Sequence, residues 1–87
     1  MSAQISIGGE VLDAPSPVFR VAKQLIKLVN EVEQIADVEL KFDKMADIVC
    51  LATGKPRAEF DNLPVKVYEI MDAVTAIIDL LGLEKKA

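Results

Sequence analysis

A mainly α fold, with an N-terminal β-hairpin followed by a small three-helix domain, is what this sequence predicts. Three observations lead there. The chain opens with "ISIGGEVLDA", a glycine pair between apolar residues that alternate with polar ones. Most of the remainder carries apolar residues at steps of three and four, the spacing of a helix with one buried face. Finally, 52% of the residues are apolar but only 5% aromatic, so the core is aliphatic, as suits helix-on-helix packing. With 87 residues the whole chain, 1–87, reads as one domain: hairpin 4–14 and helices at about 17–36, 44–53 and 63–81.

The hairpin has two registers to choose between. A turn on Gly8-Gly9 sets Ile7 opposite Glu10, whereas a turn on Gly9-Glu10 sets Ile7 opposite Leu12 and Ile5 opposite Ala14. The second gives one consistent apolar face, and glycine at the first turn position suits a type II′ turn, so the sequence favours it. A two-stranded ribbon does not stand alone, and Ile5, Ile7 and Leu12 must lie on a helix or on another subunit.

Ser16-Pro17 reads as a helix start, with serine capping the first turn and proline at the first helical position. In the helix that follows, Val18, Ala22, Leu25, Val29, Val32 and Ala36 form a stripe, flanked by Val21, Leu28 and Ile35 on one side and by Phe19 and Ile26 on the other. At ~100° per residue the apolar sector is roughly 200° wide, about twice what a helix on one core needs. Two explanations stand: this is the central helix of the monomer, covered on both flanks, or one flank faces another polypeptide. Arg20, Lys23 and Lys27 lie on the opposite side as a solvated basic face.

"DVELKFD" reads as an interhelical link, with Asp43 capping a second helix that carries Met45, Ile48, Val49, Leu51 and Ala52. Gly54 and Pro56 stop that helix; the Gly-Lys pair between them lacks the rest of a phosphate-binding loop. "PRAEFDNLP" is a linker or single turn in which Phe60 pins the loop to the core. The last helix opens near Asn62-Leu63-Pro64 and carries a stripe of ordinary width: Val67, Ile70, Met71, Val74, Ile77, Ile78 and Leu81. Gly82 ends it, Leu83 returns to the core and "EKKA" is a solvated tail.

The composition also bears on function. Ten basic and fourteen acidic residues leave a net charge of −4, which disfavours binding driven by phosphate neutralisation, whether of nucleic acid or of an anionic membrane. The chain has no histidine, hence neither the commonest general base nor the commonest transition-metal ligand, and no cofactor or metal is expected. Cys50, the only cysteine, sits in the apolar run Ile48–Leu51 and reads as a small core residue. Asp43 and Asp47 share a face near the expected start of the second helix, where acids meet the positive end of its dipole. Tyr68 falls off the apolar stripe of the last helix. Nothing has the pattern of an active site, so a non-enzyme is expected. A single cysteine, no basic-apolar leader and no apolar run of about 20 residues lead to the expectation of a cytoplasmic protein.

The order of parts, with "ISIGGE", "FDKMADIV", "FDNLPVKVYEIMDAV" and "LLGLEKK", resembles the tail assembly chaperones of long-tailed bacteriophages over nearly the whole chain. The resemblance implies a non-enzymatic homo-oligomer in the host bacterial cytoplasm that coats the tape measure protein, brings tail tube subunits to it and is absent from the mature virion. It supplies no motif-defined contact residues. The residues to watch are therefore those widening the first helix's apolar sector, Phe19 and Ile26 on one flank and Leu28 and Ile35 on the other, as the partner-binding candidates. A small helical DNA-binding regulator, acting through Arg20, Lys23 and Lys27, is the alternative.

Overall fold

The computed structural model describes residues 2–82, so the expected return of Leu83 and the "EKKA" tail lie outside the described residues. Strands β1 (Ser2–Ile7) and β2 (Glu10–Pro15) form an antiparallel hairpin, followed by helices α1 (Phe19–Gln34), α2 (Val38–Thr53), the single turn α3 (Arg57–Asp61) and α4 (Val67–Leu81). The predicted class, a mainly helical domain behind an N-terminal hairpin, is the observed one.

The hairpin takes the register that the sequence reading rejected. Ile7 pairs with Glu10, Ile5 with Leu12 and Ala3 with Ala14, around a turn on Gly8-Gly9. Both glycines have positive φ, 59° and 82°, as a type I′ turn requires, and that turn matches the twist of the strands. Ile5, Ile7 and Ala14 are still buried together, because directly opposed residues share a face. The cost of placing Glu10 on that face is met at its rim, where the Lys55 ammonium lies 3.2 Å from the Glu10 carboxylate.

The helix boundaries also shift. α1 begins at Phe19, two residues after Pro17, with Val18 at the cap position, so proline precedes the helix and does not take the first helical position expected for it. α2 begins six residues before the expected position: the carboxylate of Asp37, not Asp43, caps it by accepting the Leu40 N–H at 3.0 Å. "DVELKFD" is thus the first two turns of a 16-residue helix. Val38 and Leu40 at its start are exposed, which is why their spacing imitates a half-buried strand. Gly54 and Gly82 end α2 and α4 in the left-handed conformation, as expected.

α4 starts at Val67, with Lys66 at its cap; Asn62 instead closes α3, and Pro64 belongs to the connection. The Glu69 side chain organises this entry. One of its oxygens accepts the Lys66 N–H at 3.0 Å and the Gly8 N–H at 3.1 Å, tying the hairpin turn to the helix N-terminus. These two backbone donors, Lys66 first and Gly8 second, hold the Glu69 carboxyl below its ordinary range. A lowered value means that this contribution to stability is complete above the unfolded pKa and disappears as pH falls through the folded one. In thermal melts, Glu69→Gln is expected to lower Tm at neutral pH, and the gap to wild type is expected to close as the pH drops below 4.5.

The core lies around α2, which buries Met45, Ala46, Ile48, Val49 and Cys50. α1 packs on one side of it and α4 on another; β2 and α3 also rest on it, while β1 lies on α4. The central position considered for the first helix belongs to α2. Phe60 of α3 is buried, the anchor its loop was expected to provide.

A guanidinium locks α3 in place. Arg57 bonds the carboxylates of Asp43 and Asp47 on α2 and that of Asp61 one turn along α3, the last at 2.9 Å. Asp43 and Asp47 are mid-helix residues, so the expected dipole role gives way to this ion cluster. With the Arg57 side chain 32% exposed, Arg57→Ala should cost about 1–2 kcal/mol, a range discounted for solvent screening. Urea unfolding at low and high salt checks it: the difference from wild type should shrink as salt rises.

Candidate interaction surface

α1 meets the rest of the molecule along one flank. Leu25 and Val29 are buried against α2, and Val21, Leu28 and Val32 are half-buried beside them. Among the described residues no element other than α2 makes a comparable contact with α1. The apolar sector is wider than this contact, and the excess is left open. Phe19 is 78% exposed at the helix start, with the Lys23 ammonium 5.4 Å from its ring centre, a cation–π pair one turn apart.

Along the open side runs a groove of about 790 Å³ between α1 and the first turns of α2. Ile26, Ile35 and Leu40 supply its apolar lining, and Lys23, Lys27 and Lys44 its basic edge. Lys44 is already engaged by Glu31 at 3.7 Å. Lys23 and Lys27 form no ion pair among the described residues.

The four candidates therefore separate. Ile26 and Ile35 share the groove, Phe19 stands outside it near the start of α1, and Leu28 packs inward against the core. The chain matches no family model, no curated protein and no solved structure.

Leu40 is the residue that sequence reasoning missed. Reading "DVELKFD" as a link removed it from any helix face; the signal that could have placed it is Asp37, a capping residue three positions upstream. α4 holds a second surprise. Of its predicted stripe, Val74 and Ile77 are buried, but Val67 and Met71 are 56% and 50% exposed, with Tyr68 beside them at 61%. Ala73 takes a buried place instead, so the helix is rotated relative to its expected face.

Among the described residues no cluster of acidic side chains has the arrangement of a metal site, and the Asp43, Asp47 and Asp61 carboxylates are all engaged by Arg57. Cys50 is 9% exposed, and burial, opposed by the positive charge of Arg57, pushes its thiol pKa up, away from the reactive thiolate. Among the described residues no helix is long and apolar enough to cross a membrane.

Proposed function

We propose that this chain is a non-enzymatic assembly protein that self-associates and coats an amphipathic helical client, as the tail assembly chaperones it resembles do with the tape measure protein. In that role it works in the host bacterial cytoplasm, brings tail tube subunits to the tape measure protein and leaves before the virion is complete. The observation that carries the reading is the one-sided packing of α1, which leaves Ile26, Ile35 and Leu40 lining an open groove. A groove with an apolar floor and charged edges suits the apolar face of a helix, and an open apolar surface on so small a domain is an interaction surface.

Light scattering on the purified chain tests this. Wild type is expected at a multiple of the 9.5 kDa chain mass, and Ile26→Asp at the mass of one chain with unchanged helical circular dichroism. A wild type that stays monomeric at every concentration and fails to bind a tape measure segment overturns the reading.

A further inference from the structure

We propose that the α1/α2 groove of one copy receives the outward face of α4 of a second copy, a head-to-tail contact. This rests on the self-association proposed above and names the surfaces that make it. Two unpartnered faces on the same chain are complementary to each other. On α4, Val67, Tyr68 and Met71 present apolar surface outward, and Asp72 and Asp79 run along one edge of that face. Neither acid forms an ion pair among the described residues. Across the groove, Ile26, Ile35 and Leu40 provide the matching apolar floor, and Lys23 and Lys27 the matching opposite charge.

The same charges argue against each face meeting its own copy. The groove carries Lys23, Lys27 and Lys44 against the single acid Glu31, and the α4 face carries Asp72 and Asp79, so a two-fold contact of either face with its own copy brings two patches of the same net sign together. Pairing groove with α4 removes both conflicts. Asp72 and Asp79 are two helical turns apart, about 10.5 Å, and Lys23 and Lys27 one turn apart, about 6 Å, so both acids lie within reach of long lysine side chains along a docked helix. A head-to-tail contact leaves one groove and one α4 face open at its ends, so further copies add until a ring closes or a filament grows.

The test mixes two variants of the whole chain. Ile26→Asp spoils the groove and leaves α4 intact; Met71→Asp spoils α4 and leaves the groove intact. Each alone should run at the mass of one chain, and an equimolar mixture should run at twice that mass and no further, because only one good groove and one good α4 face remain per pair. A mixture that stays at one chain mass, or a Met71→Asp protein that assembles like wild type, overturns the pairing while leaving self-association standing. A monomeric wild type overturns self-association itself. Should either variant lose its helical circular dichroism, charge reversal replaces it: Lys23→Glu with Lys27→Glu should abolish assembly, and adding Asp72→Lys with Asp79→Lys to the same chain should restore it. Failure of that restoration in a folded protein counts against the contact.

Discussion

Phe60→Ala is expected to lower the unfolding free energy by about 3–5 kcal/mol, the usual cost of emptying a buried aromatic site. Phe60 is 3% exposed and is the one buried residue of α3, a helix of five residues that has no stability of its own. Removing the ring leaves a cavity beside α2 and frees the turn that Arg57 and Lys55 fasten down. A domain of this length has on the order of 4–13 kcal/mol in total, so the variant should unfold at a much lower urea midpoint with a similar slope. An unchanged midpoint would mean that the α3 turn is not anchored as described.

Gly8→Ala is expected to be the most damaging change in the hairpin, at about 2–3 kcal/mol. A Cβ on Gly8 would stand 2.7 Å from the Cβ of Leu63, an atom fixed to the backbone, so the 63–65 connection must move. The residue also holds φ at +59°, and its N–H donates to Glu69. Gly9 supplies the control. It has a similar φ of +82° but nothing within 4 Å of an added Cβ, so Gly9→Ala should carry only the conformational cost of about 1 kcal/mol. The gap between the two in thermal or urea unfolding measures the close approach of the hairpin to the 63–65 connection.

What could be read from the sequence was whatever the chain decides locally. The two helix stops at Gly54 and Gly82 were legible because a left-handed residue favours glycine wherever it occurs. Phe60 and Cys50 were legible because an aromatic between polar neighbours and a thiol in an apolar run each have one good place to go. The hairpin register was not, because Glu10 is acceptable on the inner face only with Lys55 beside it, and that partner comes from the connection between α2 and α3. The entry to α4 depends likewise on Glu69 reaching back to both Lys66 and Gly8. At the candidate surface, periodicity found Ile26 and Ile35 but placed Leu28 with Ile35 on one flank, when α2 covers Leu28 and leaves Ile35 in the groove. A helical wheel gives the width of an apolar sector; which part of it is covered depends on where the neighbouring helix crosses.

The contact of β1 with α4 joins the first and last of the described elements. As the polypeptide leaves the ribosome, the ribbon is made well before α4, the helix on which β1 lies. A nascent chain that has not yet released α4 therefore lacks part of the surface on which β1 rests, and the hairpin completes its packing only after α4 emerges.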